Sequence, residues 1–237
     1  MEGLGRLKIV IKLGKFLFTL PLQPSKLGEY VEMIKKMVKD KHRVLIVVGG
    51  GGIAREYIKT GREIGLDESI CDQLGIETSK INAYLLVNLL EDYAYPEVPE
   101  NLKELKRFFG LGKVVVMGGL TPGHSTTAVG ALAAETVKAD MYIIATDVDG
   151  IYTKDPKIFK DAKKFEVIST NEAFKLAVEG KLLAGTYELD PLAVKIIERS
   201  KIPTYFIDGR KIENFFKVLA GEKVGTYIKS SRSGEEE

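Results

Sequence analysis

With 237 residues, 45% of them hydrophobic and 29% charged, the chain can bury a sizeable core and has the composition of an ordinary globular protein. Its 35 basic and 33 acidic residues leave a formal charge of +2, which excludes a general attraction to nucleic acid or membranes and confines any anion site to a local cluster. A single cysteine, Cys71, excludes an internal disulfide and points to a reducing cytoplasm, and no apolar run approaches the ~18 residues of a membrane-spanning helix.

Met1–Lys8 is too short and polar for a signal peptide. Leu7–Leu13 reads as the first strand, and the spacing of Leu27, Tyr30, Ile34, Met37 and Val38 predicts a helix over Lys26–Asp40. Val44–Val48 is a continuously apolar second strand, followed by Gly49–Gly52 and a helix from about Ile53 to Ile64. Ser69–Glu91 reads as a helix with Asp72 near its start, and Tyr93–Pro99, which holds two prolines, as a loop or edge strand. A short helix, Leu102–Phe109, precedes the strand Lys113–Met117 and the pair Gly118-Gly119. Thr126–Lys138 is an alanine-rich helix and Met141–Ala145 a strand.

Thr146–Pro156 is an irregular loop, and Ser169-Thr-Asn-Glu172 has the form of a capping box ahead of a helix through Val178. Asp190-Pro191, an N-cap followed by proline at the first helical position, opens Leu192–Ser200. Thr204–Ile207 is a strand, Lys211–Ala220 a helix, Gly225–Ile228 a last strand, and Ser230–Glu237 a frayed tail. Apolar strands alternating with helices imply an α/β domain with a mostly parallel sheet covered on both faces. Ligands of such sheets bind beyond the carboxyl ends of the strands, which groups the loops after Val48, Met117 and Ala145 along one edge.

Each loop has a chemical and a structural reading. Gly49–Gly52 can bring backbone N–H groups against an anion at a helix start, with Arg55 one turn in, or can simply make a tight turn. It matches neither Walker A nor a dinucleotide-binding register. Gly118–Thr127 places Ser125, Thr126 and Thr127 at a helix N-terminus, where they suit phosphate, or where Ser125 or Thr126 is simply the N-cap; His124 is either solvated or a contributor. In Thr146–Pro156, the pattern Asp-x-Asp-Gly lacks the remaining ligands of a calcium loop. A nucleotide suits it better, with Tyr152 against a base or ribose and Thr146, Asp147 and Asp155 on polar edges. Lys12 and Lys15 flank Gly14 at the end of the first strand, where an ammonium stabilises charge on a phosphoryl group.

Six segments in order carry a resemblance to a known family. They are Lys12–Lys15, Gly49–Arg55, Asp72–Ile76, Gly118–Thr126, Thr146–Tyr152 and Ala184–Pro191. Together they resemble the archaeal-type UMP kinases of the amino-acid-kinase fold family. The resemblance implies a single three-layer αβα sandwich around a mostly parallel eight-stranded sheet, with an acceptor part over about residues 7–145 and an ATP part over about 146–228. It also implies transfer of the ATP γ-phosphoryl to UMP with Mg²⁺, in a homohexamer. Carried over by motif, Gly50, Asp72 and the run Leu120, Thr121, Pro122, Gly123, His124, Ser125 and Thr126 bind UMP. Lys12, Gly14, Lys15, Gly51 and Arg55 line the phosphoryl path, and Thr146, Asp147, Tyr152 and Asp155 hold adenosine. Three positions depart from the pattern: the Lys12–Lys15 loop is one residue short, Thr127 replaces a common aspartate, and Asp147 a common asparagine. Other kinases of the fold, acting on carbamate, amino acids or isopentenyl phosphate, are the alternatives, as is a non-catalytic nucleotide-binding protein. The lack of any histidine between His42 and His124 argues against isopentenyl phosphate.

Overall fold

The computed structural model of the protein describes residues 5–154, 156, 158–178 and 189–231. Its first half runs β1 (Lys8–Leu13), α1 (Pro24–Lys39), β2 (Arg43–Val48), α2 (Gly51–Glu63), α3 (Glu68–Leu90), α4 (Leu102–Gly110), β3 (Val115–Met117), α5 (Thr126–Val137) and β4 (Met141–Thr146). The second half runs β5 (Val167–Ser169), α6 (Thr170–Val178), α7 (Pro191–Ser200), β6 (Thr204–Asp208), α8 (Glu213–Leu219) and β7 (Thr226–Lys229). The strands form one sheet in the order β3-β2-β1-β4-β6-β7-β5. Helical crossovers make β3, β2, β1, β4 and β6 parallel, with Ile11 opposite both Ile46 and Ile143. β7 is antiparallel to β6 and parallel to β5, so the last two strands run against the rest.

The sheet has seven strands among the described residues, against the eight expected. β5 was not foreseen: three residues give too short a pattern, and its partner β7 lies at the far end of the chain. The expected proline-bearing segment after α3 makes a single parallel bridge, Ala94 to Val114, at the β3 side.

Both sheet faces are covered, which explains why the central strands are apolar without alternation. Ile9, Ile11, Leu13, Val44, Ile46 and Val48 face a core shared with α1, α3 and α8. Val10, Leu45, Val47, Tyr142 and Ile144 face the opposite core, shared with α4, α5, α6 and α7. Burying each such aliphatic side chain contributes roughly 1.5–3 kcal/mol, so the middle of the sheet is a rigid base. The carboxyl ends of β1, β2, β3 and β4 come out on one edge, where Gly14 N donates to Ala145 O at 3.0 Å and ties the first to the last.

Local rules set the helix starts. Ser125 Oγ accepts from Ala128 N at 3.1 Å, and Asp190 Oδ1 from Leu192 N at 2.7 Å. Ser169 and Glu172 close the predicted capping box: each side chain accepts from the other's backbone N–H, at 3.2 and 3.1 Å. Ala184–Glu188 of the last resembling segment lies outside the described residues.

Candidate active site

The glycine loop after β2 is a packing device before it is a ligand site. Helix α2 starts at Gly51, two residues earlier than the apolar pattern suggests, with Gly50 as its N-cap. Gly51 has φ +65°, and a Cβ there would stand 2.2 Å from Phe18 O. Gly52 N donates to that same carbonyl at 2.8 Å. A Cβ on Gly50 would stand 2.3 Å from Ala54 Cβ and 3.0 Å from Gly75 O. Only glycine lets the backbone pass between α3 and the segment after β1 at these distances. The start of α2 therefore lies close to the ends of β1 and β2, with its N–H groups on the sheet edge.

Beside it is a cavity of ≈ 210 Å³. Lys12, Gly14 and Lys15 reach it from the end of β1, Gly49, Gly50, Gly51 and Arg55 from the glycine loop and α2, and Asp72 from α3. Thr121, His124 and Thr126 close it from the loop before α5. Lys12 is only 1% exposed, so its charge is delivered into the wall of the cavity rather than to bulk water. Asp72 Oδ2 accepts from Gly123 N at 2.7 Å and joins α3 to the α5 loop.

Three expected residues of that loop have other duties. Leu120 packs against the core under α5, Ser125 caps α5, and Gly123, at φ +81°, turns its N–H to Asp72. Leu120, Pro122, Gly123 and Ser125 stay outside the cavity wall. Sequence reasoning missed part of the wall, namely Ala54, Ile58, Gly75, Ile76, Ser79 and Gly119. Ser79 is the most informative of these: its hydroxyl donates to Ile76 O at 2.6 Å and accepts from Gly119 N at 2.7 Å. It fixes the first turn of the α5 loop against α3. Among the many polar residues of α3, nothing in the sequence marks Ser79 for this contact.

The loop after β4 flanks the cavity without lining it. Thr146 is 4% exposed, and its hydroxyl accepts from Val148 N at 3.2 Å, an inward, local duty. Asp147 lies 3.8 Å from Lys15 Nζ and connects this loop to the cavity. Tyr152 Oη donates to Asp149 Oδ1 at 2.7 Å; burial, then the Asp149 hydrogen bond, push the phenol up to about 12. Burial also lifts Asp149, but the bonds from Tyr152 and Lys164 outweigh it and hold that carboxyl below the usual range. Asp155 lies outside the described residues.

Cations, helix N-termini and glycine loops thus converge on one edge, an arrangement suited to a phosphorylated ligand. A model of the amino acid kinase family matches residues 8–208. The uridylate kinase of Methanocaldococcus jannaschii is 45% identical over 205 residues, 86% of this chain and 90% of that protein. That of Sulfurisphaera tokodaii is 43% identical over 228 residues, 94% of this chain and 99% of that one. The crystal structure of uridylate kinase from Archaeoglobus fulgidus superposes with a TM-score of 0.83 at 42% identity, covering 94% of this chain and 100% of that one. UMP kinase from Bacillus anthracis, at 22% identity and a TM-score of 0.80 over 95% and 96% of the two chains, shares the fold. The chain belongs to the amino acid kinase family, within its uridylate kinase branch.

Proposed function

We propose that the chain transfers the γ-phosphoryl group of ATP to UMP, giving ADP and UDP. One observation carries this reading: Lys12, Lys15 and Arg55 meet the N-terminal edges of α2 and α5 around one cavity. UMP occupies that cavity, with its phosphate toward Gly50 and Arg55 and its ribose on Asp72. One Asp72 oxygen is engaged by Gly123, and the other is the acceptor for a ribose hydroxyl. Thr121, His124 and Thr126 of the loop before α5 enclose the uridine, residues 7–145 form the acceptor half, and 146–228 the donor half. Thr146, Asp147, Tyr152 and Asp155 serve adenosine, with Gly14 and Gly51 on the phosphate path.

Phosphoryl transfer asks for alignment and charge neutralisation more than for covalent chemistry. The attacking UMP oxygen is ionised at neutral pH, so no general base is needed. Lys12 and Lys15 neutralise the donor phosphates, and Arg55 gathers charge on the moving group. Magnesium, which the reading implies, takes most of its ligands from phosphates and water.

The reading includes a cytoplasmic homohexamer. No helix among the described residues is long and apolar enough to cross a membrane, and Ile81 and Tyr84 on α3, 68% and 61% exposed, offer apolar surface for self-association. An ADP-release assay with UMP, CMP, dUMP and isopentenyl phosphate as acceptors tests the function. Turnover fastest with UMP is expected; faster turnover with isopentenyl phosphate, or none with any acceptor, would overturn it.

A further inference from the structure

Two polar side chains one turn apart on α3, Ser79 and Asn82, are buried to 1% and 3% exposure, and each bonds main chain outside its own helix. Ser79 holds Gly119 of the loop before α5. Asn82 Nδ2 donates to Gly49 O, 2.9 Å away at the start of the glycine loop. Thr78, buried beside them, bonds only back along the helix, to Leu74 O. A polar group this deeply buried costs free energy unless it is bonded, so the Asn82 amide is committed to the glycine loop. Yet Asn82 stays outside the cavity wall, whereas Gly49 and Gly50 belong to it.

Gly49 needs such a hold. Its neighbours are seated by packing: a Cβ on Gly50 would stand 3.0 Å from Gly75 O, and one on Gly51 2.2 Å from Phe18 O. A Cβ on Gly49 would meet nothing nearer than Thr126 Oγ1 at 3.7 Å. With no Cβ on either side, the peptide joining Gly49 to Gly50 can turn over at little steric cost. That peptide is trans, so its carbonyl and its N–H point in opposite directions. While Asn82 holds Gly49 O, the Gly50 N–H is therefore turned away from Asn82. Gly50 is the N-cap of α2, and its N–H is among those that no helical carbonyl takes up. We infer that Asn82 is a positioning residue of the acceptor site: it keeps the Gly49–Gly50 peptide in the orientation that offers the Gly50 N–H to the acceptor phosphate. The role rests on the proposed function, since it needs that phosphate at Gly50.

The test is calorimetric titration of the full chain with UMP and, separately, with the non-hydrolysable ATP analogue AMP-PNP. Asn82→Ala removes the donor and frees the peptide. It is expected to weaken UMP binding about tenfold, the low end of what a hydrogen bond to a charged group is worth, and to leave AMP-PNP binding within twofold. Asn82→Leu, which keeps the branched shape without the donor, is expected to show the same loss. Leu86→Ala separates positioning from stability: Leu86 is buried in the core on the same helix and stays outside the cavity wall. It is expected to lower the denaturation midpoint while UMP binding stays within twofold. Unaltered UMP affinity in either Asn82 variant, an equal loss of AMP-PNP binding, or a matching UMP loss in Leu86→Ala would each overturn the inference. Failure of both Asn82 variants to fold would overturn it too, because the bond would then serve the fold and not the site. The wild type decides the underlying function on its own: failure to bind UMP would remove both readings, whereas a wild type that binds UMP no better than Asn82→Ala does would remove the role of Asn82 alone.

Discussion

The cavity beside the glycine loop and the edge beyond β4 arrange charge in different ways. Around the cavity the main chain does most of the shaping. Gly50 and Gly51 lie where no Cβ fits, Ser79 clamps Gly119, and Asp72 is held by Gly123. Beyond β4 the edge is built from side-chain pairs: Lys15 with Asp147, Lys164 with Asp149, and Arg210 with Asp208. The first arrangement is a cast shape that loses its function when the backbone moves. The second is a set of paired charges carried on side chains. An acceptor that must be told apart from its relatives suits the former, and a shared donor suits the latter.

The largest effect should come from breaking the cast. Gly51→Ala places a Cβ at φ +65°, 2.2 Å from the Phe18 carbonyl oxygen, and the backbone has to shift to admit it. A destabilisation of about 3 kcal/mol or more is expected by chemical denaturation. A variant as stable as the wild type would show that the approach of α2 to Phe18 is not a tight fit. Gly49 is the internal control, because a Cβ there meets nothing nearer than Thr126 Oγ1 at 3.7 Å. Gly49→Ala should therefore cost far less.

Next comes Arg55, the group we propose acts on the moving phosphoryl. Arg55→Ala should lower kcat about 100-fold, the usual scale for removing one transition-state donor, while UMP affinity falls much less. Equal losses in the two quantities would make Arg55 a binding residue only. Asp72→Asn comes third. It keeps an acceptor for Gly123 N but removes charge from the ribose side, so KM for UMP should rise about tenfold with KM for ATP within twofold. A rise in the ATP value alone would reverse the assignment of the two halves.

The same contrast explains what the sequence disclosed. Glycine loops, caps and apolar strands obey short-range rules, so the strand and helix order, the Ser125 and Asp190 caps and the convergence of three loops on one edge could be read from local pattern. Long-range pairing could not. β5 is three residues that make sense only beside β7, and Asp208 lies one residue past the apolar run that marks β6. The roles of Ile76 and Ser79 depend on how α3 leans on the α5 loop, which no spacing within α3 encodes. Thr127, which departs from the aspartate expected from the family resemblance, is fully buried, and its hydroxyl has no hydrogen-bond partner among the described residues. Nothing in the structure explains that hydroxyl.

The smallest effect concerns a local rule on the donor side, the capping box between β5 and α6. Ser169 Oγ accepts from Glu172 N and donates to Glu172 Oε2 at 2.7 Å, while the same carboxylate accepts from Ser169 N. The Ser169 hydroxyl, then its backbone N–H, hold Glu172 below its ordinary value of 4.5. A carboxyl depressed in the folded state stabilises above its unfolded pKa and loses that contribution as pH falls through the folded one. Ser169→Ala should therefore cost about 1 kcal/mol at pH 7, the usual worth of an N-cap. Its cost should shrink as pH drops below 4.5, where the wild type's own carboxyl takes up a proton. What survives in acid is the hydroxyl bond to Glu172 N, which does not titrate. A cost that is flat from pH 7 to 3 would assign the whole effect to that bond and leave the carboxylate a bystander. Throughout, UMP affinity should hold steady, because neither Ser169 nor Glu172 lines the cavity proposed for UMP.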